Sequence, residues 1–199
     1  MESSKQQPDP DSSHVLPPIE SLPVEVIQRI MGQLVDFAAL KSFVRASPSA
    51  VRVLRADEGV VCKSILIRML GDLSDCLPIA IARREASKVD WRLTKPFELD
   101  YERAKYNGHI AGFCDRYLSH QATKLSVTTG YFTLDACIEL TSFHDRILEW
   151  ISIMTVLMYS YSKFGDRTRY CIYPTALEKY RTAKMLYATE IVSILLPIR

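Results

Sequence analysis

Glycine is scarce in this chain, 7 of 199 residues, and no glycine-rich run is available to cradle a phosphate. The 5 cysteines are Cys62, Cys76, Cys114, Cys137 and Cys171. They are odd in number, widely spaced and free of any Cys-x-x-Cys pair. That pattern excludes a secreted disulfide framework or a zinc site and fits reduced thiols in a cytoplasmic or nuclear protein. Long apolar runs are missing as well. The most apolar one, Trp150 to Tyr159, is 10 residues long and preceded by Glu149, whereas a spanning helix needs roughly 20, and the N-terminus has no apolar signal core. Nor is there a dominant charge. The net +2 divides into −2 over residues 1–58 (6 Lys/Arg against 8 Asp/Glu) and +4 beyond (19 against 15), too even to attract a polyanion. Neither nucleic acid nor a membrane is therefore expected as a partner. Leucine-rich, propeller and kelch periods are absent.

What the chain does have is apolar content, 48% of its residues, arranged at helical spacing. An all-α fold is expected, in three parts: a disordered tail over residues 1–18, a compact helical module over 19–70, and a helical domain over 71–199. The tail is rich in Ser, Pro, Gln and acid and offers too little apolar surface to offset its ordering entropy; Ser12 and Ser13 read as part of a solvated leader.

The module is the organising stretch. Pro23 suits a first helical turn, with Ser21 or Leu22 as cap and Glu25 near the positive helix end. On a 3.6-residue wheel Val26, Ile27, Ile30, Met31 and Leu34 share one side, against Glu25, Gln28, Arg29, Gly32 and Gln33. Asp36 caps a second helix with Phe37, Ala39, Leu40, Phe43 and Val44 on its apolar face. Ser47-Pro48 opens a third, with Ala50, Val51, Val53 and Leu54 inward and Ser49, Arg52 and Arg55 outward. About 35 residues cannot cover their own core, so these helices need a further surface, on this chain or on a partner.

Leu22-Pro23-Val24-Glu25-Val26, followed by Ile30, Leu34, Leu40, Val44 and Ser47, resembles the F-box, the three-helix motif that docks on the Skp-type adaptor of cullin-based (SCF) ubiquitin ligases. Ala46-Ser47-Pro48-Ser49 is similar to the form abundant in filamentous fungi. The resemblance implies a non-catalytic substrate adaptor, and it implies that Leu22, Pro23, Val26, Ile27, Ile30, Leu34 and Leu40 meet the Skp-type subunit. Ser49 stands where many family members carry tryptophan, so contacts made from that position are not carried over. Two alternatives remain at this point: a scaffold that uses the same corner only as core, and a helix-turn-helix DNA binder, for which Arg52 and Arg55 supply little charge.

Downstream, Asp57 is expected to cap a helix containing Val60, Val61, Ile65, Leu66, Met69 and Leu70 that stops at Gly71. Leu77-Pro78 opens another, whose Arg83 and Arg84 read as a solvated helix end compensating the dipole. Trp91, Phe97, Tyr101 and Tyr106 read as core anchors around a loop that gives way to a short helix near Phe97. A separate helix is expected from Gly108 to about Gln121, then a polar connector from Ala122 to Gly130. Thr133 to about Tyr161 reads as a long helix, or two broken near Thr141 to Asp145, apolar nearly all round and therefore buried centrally. After a polar loop from Lys163 to Pro174, Thr175-Ala-Leu-Glu178 is a capping box for the final helix. That last helix resembles one near the middle of longer fungal F-box proteins, implying either a short family member or a chain that continues.

No catalytic, cofactor or metal site is expected. Cys114 lies more than about 100° around a helix from His109 and His120, and Cys137, His144 and Asp145 lack a nucleophile motif.

Overall fold

The computed structural model describes residues 19–91, 100–119, 129–162 and 174–196. The expected tail over 1–18, the loop over 163–173 and most of the 122–130 connector lie outside these. Every regular element among the described residues is helical: α1 (Val24–Gly32), α2 (Phe37–Ala46), α3 (Pro48–Leu70), α4 (Leu77–Ser87), α5 (Asp100–Tyr117), α6 (Leu134–Ser162) and α7 (Ala176–Leu195), with short 3-10 turns at Ile19–Ser21, Gly71–Cys76 and Thr129–Tyr131. The expectation of an all-α chain holds.

Local chemistry sets most of the boundaries. Pro23 is the cap of α1 rather than its first residue (φ −55°, ψ 148°), and its carbonyl accepts from the amides of Val26 and Ile27 at 3.0 and 3.1 Å. Asp36 accepts from the Ala39 amide at 2.7 Å, and Ser47 Oγ accepts from that of Ala50 at 3.4 Å. Both satisfy donors that the helix start leaves free. The Thr175–Glu178 box forms completely: Thr175 Oγ1 accepts from the Glu178 amide at 3.2 Å, and the carboxylate accepts from the Thr175 amide at 2.7 Å. The bond from the Thr175 amide first, and then one from the Thr175 hydroxyl to the same carboxylate oxygen at 2.9 Å, hold the Glu178 carboxyl below its ordinary value. Gly71 ends α3 at φ 51°, a left-handed conformation that costs little without a Cβ.

One expected boundary is corrected and two others are resolved. The third and fourth expected helices meet without a loop at Asp57, whose backbone is non-helical (φ −135°, ψ 35°), so α3 is two helices joined at a kink where the second was expected to start. The start expected at Gly108 is absent because α5 runs through Asn107-Gly108 from Asp100. Of the two readings of Thr133 to Tyr161, the single long helix is the one that forms: Thr141 Oγ1 donates to the Cys137 and Ile138 carbonyls at 3.0 Å, which satisfies the hydroxyl inside a continuous helix.

α3 is the spine. Val53, Val61, Ile65, Leu66 and Leu70 along it join Ile27 and Met31 of α1, Leu40 of α2, Phe143 and Ile147 of α6 and Tyr187 of α7 in one core. A smaller cluster of Ala82, Ala86, Trp91, Phe113, Ile191 and Leu195 closes the α4–α5–α7 end. There Trp91 meets Phe113 edge-on at 5.7 Å and donates from Nε1 to the Ala86 carbonyl at 2.8 Å, the anchoring role expected of it. Tyr106 donates to the Leu195 carbonyl, tying α5 to the end of α7.

α3 also completes its neighbours' ends. Arg68 donates to the carbonyls of Gly32 (2.6 Å) and Leu34 (2.9 Å) and to Gln33 Oε1 (3.0 Å), placing a cation over the free acceptors and negative dipole end of α1. Glu58 Oε1 accepts from the Leu134 amide at 2.7 Å, placing an anion at the positive start of α6.

Candidate partner-binding surface

The surface in question is built on α1, a 9-residue helix that can turn only one arc towards α3. That arc holds Ile27, Met31 and Gly32, all buried. A Cβ on Gly32 would stand 3.5 Å from that of Ser64, an ordinary contact, so Gly32 faces α3 closely without needing to be glycine. The expected wheel is thus rotated. Gly32, assigned to the polar side, faces the core, while Val26, assigned to the apolar side, is 40% exposed.

Rotation of the buried arc leaves a row on its flank. Val26 and Ile30 are spaced i, i+4, which stacks side chains along one ridge, and Leu34 follows just past the helix, which ends at Gly32 with Gln33 as its cap. Ile30 and Leu34 are half-buried, and Leu34 also touches the core. Pro23 is exposed and Leu22 half-buried at the start of the ridge, with Val24 and Val35 open at its two ends. The opposite flank is polar. Gln28, Arg29, Gln33, Ser64 and Arg68 line a groove of about 340 Å³ between α1 and α3. A single short helix therefore shows one apolar and one polar flank.

The seven residues singled out for the Skp-type contact separate accordingly. Leu22, Pro23, Val26, Ile30 and Leu34 lie at or on the open ridge, whereas Ile27 (2% exposed) and Leu40 (0%) lie within the chain's own core. Both pack against the core side chains of α3 within the chain itself. Ser49, expected outward, is buried, and its Oγ accepts from Arg52 at 3.1 Å.

Elsewhere the chemistry is structural. Arg83 does not end in solvent: its guanidinium lies 4.0 Å over the Phe143 ring, and Arg84 bonds Glu139 at 2.8 Å, so the pair joins α4 to α6. The Cys137 thiol is pushed up by its hydrogen bond to Cys62 and then by burial, and burial pushes the Cys76 thiol up to about 11. Such thiols are poor nucleophiles. His144 is buried, with Nδ1 3.3 Å from the Tyr187 hydroxyl and Nε2 without a partner. Burial lowers its pKa, and Asp145 partly opposes that. No group of three or more potential metal ligands occurs among the described residues, and no described helix is long and apolar enough to cross a membrane. A recess of about 480 Å³ lies between α4 and α5 and is lined by Trp91, Phe113, Tyr117, Gly112 and Arg116 among others.

Comparison of the chain with protein-family models, with curated proteins and with solved structures returns no match in any of the three.

Proposed function

We propose that the chain is an F-box-type substrate adaptor: the opening of α1 and its apolar ridge dock on the Skp-type subunit of a cullin ubiquitin ligase, and residues from 71 onward hold a target protein. The observation that carries this reading is the Leu22-Pro23 opening followed by Val26 and Ile30 along one partly open row of α1, with Leu34 half-exposed just past its end. Burying that row against a second protein would remove apolar surface from water at about 25 cal/mol per Å². Its helix is held at the far end by Arg68, so little ordering remains to be done on binding. The recess between α4 and α5 belongs to the part assigned to the target. Such an adaptor does no bond chemistry. It raises the effective concentration of target lysines near a ubiquitin-conjugating enzyme.

A scaffold that keeps the same corner as core is the second reading, and the burial of Ile27 and Leu40 favours it for those two residues. The exposure of Pro23 and the half-exposure of Leu22 and Leu34 weigh against it, since a purely internal corner would cover them. Capture of a Skp-type subunit by the immobilised chain decides between the two. Binding is expected, and Leu34→Asp should abolish it while far-UV helicity is retained. No capture by the folded wild-type chain would leave the scaffold reading.

A further inference from the structure

Two of the cysteines meet in the core. Cys62 of α3 and Cys137 of α6 are each 0% exposed, belong to one apolar cluster and share a side-chain hydrogen bond. A second contact within a turn of them joins the same two helices: Glu58 Oε1 accepts from the Leu134 amide at 2.7 Å. Glu58 and Cys62 are i, i+4 on α3, Leu134 and Cys137 are i, i+3 on α6, and positions so spaced share one helix face. The carboxylate that holds the start of α6 against α3 thus also brings the two thiols together. Cys76 is placed differently, beside Lys184 and Asp75 in the turn before α4, and Cys114 lies half-buried on α5.

A single buried thiol acts as small apolar filling, whereas two in contact can lose two hydrogens and join. Where thiols are otherwise kept reduced, a bond of that kind is transient and responds to oxidants instead of serving as a permanent staple. We infer that Cys62 and Cys137 form a redox-sensitive pair, converted by hydrogen peroxide to an intrachain disulfide that locks α3 to α6. One sulfur, as thiolate, attacks a peroxide oxygen; a sulfur–oxygen bond forms, the oxygen–oxygen bond breaks and hydroxide leaves. The second thiolate attacks the sulfenic sulfur, the sulfur–sulfur bond forms and a second hydroxide leaves. The two thiol protons convert both hydroxides to water, so two thiols are oxidised as one peroxide is reduced. Neither sulfur meets solvent, which favours a small neutral oxidant over a bulky disulfide. The bond to Cys62, and then burial, push the Cys137 thiol up, which slows the first attack, while the partner already in contact speeds the second.

The pair does not depend on the adaptor reading of α1. The full chain, reduced and then treated with hydrogen peroxide, should lose two hydrogens in intact mass, and a non-reducing peptide map should join the peptides of Cys62 and Cys137. Closing a loop of about 75 residues should raise the urea midpoint by on the order of 1 M, and dithiothreitol should return it to its starting value. Cys62→Ala and Cys137→Ala should each abolish the link and the rise. Because each of these empties a buried site, a second arm keeps the core intact: Cys114→Ser combined with Cys171→Ser should retain both effects. The inference is overturned if the folded wild-type chain gains no Cys62–Cys137 link, if the link leaves the midpoint unchanged, or if its pairings are as scattered as those of the chain oxidised in urea. It is equally overturned if the link is lost with Cys114 and Cys171.

Discussion

α3 and α6 are the two long helices of the molecule, 23 and 29 residues, and they end up in opposite situations. Beyond its kink, α3 alternates apolar and polar positions, burying Val61, Ile65, Leu66 and Leu70 while Ser64 and Arg68 face outward. The second half of α6 is apolar almost all round, and among its described side chains the last buried one is Ile151, with Trp150 and Val156 among the most exposed large side chains described. Periodicity tells a helix which face to bury, whereas general apolarity shows only that burial is needed and not where it comes from. The same distinction operates within the N-terminal module, where α1 has both a closed arc and an open ridge.

The largest effect that sharpens this comparison is in the closed part. Leu40→Ala, at a side chain with no exposure, should cost about 3 kcal/mol of unfolding free energy through lost burial and a cavity, whereas Val26→Ala on the ridge should cost less than about 0.5 kcal/mol. Urea titration of both variants checks the pair, and equal costs would show that the ridge is as closed as the core.

A smaller effect is expected at the clamp on α1. Arg68→Ala leaves the Gly32 and Leu34 carbonyls to water and should destabilise by about 1 kcal/mol. Arg68→Lys should recover only part of that, because an ammonium cannot fork between the two acceptors. Denaturant midpoints of the two variants give the comparison directly.

The smallest effect is pH-dependent and belongs to the buried half of α6. His144 has a folded-state pKa lowered by burial, so below its ordinary value near 6.5 the unfolded chain binds more protons than the folded one. Stability is then full above that value and is lost as pH falls through the window between it and the lowered folded pKa. His144→Phe should flatten this part of the stability profile, measured by denaturation at about pH 7.5 and about pH 5.5. An unchanged slope would place the proton uptake elsewhere.

How much of this was legible in the sequence follows from the range of each interaction. Asp36, Ser47, Gly71 and Thr175 act on amides or carbonyls within a few residues of themselves, and the local pattern identifies all four. Arg68 and Glu58 act across 34 to 36 and 76 residues, so no local pattern reveals that α3 completes both α1 and α6. A charged residue on the solvent side of a long helix was the one available signal, and many residues share it. The wheel of α1 gave the correct apolar set but the wrong centre, because Gly32 belongs to the buried arc, and a residue without a side chain gives a hydrophobicity pattern little to score. In the candidate site, all seven residues were singled out by resemblance and not by exposure; that Ile27 and Leu40 are covered while Leu22, Pro23, Val26, Ile30 and Leu34 keep some exposure depends on where α3 lies, which no local pattern gives. The exposed half of α6 was misread as a buried centre because its composition alone looks like core.

Adaptor docking on the α1 ridge is tested most directly by placing the same new charge on each flank of that helix and measuring affinity for a purified Skp-type subunit by calorimetry. Val26→Asp, on the apolar flank, should weaken binding by 100-fold or more, about 2.7 kcal/mol, while Gln28→Asp, on the polar groove side, should change it less than about 3-fold. Equal losses from both variants, or no binding by the folded wild-type chain, would contradict the account.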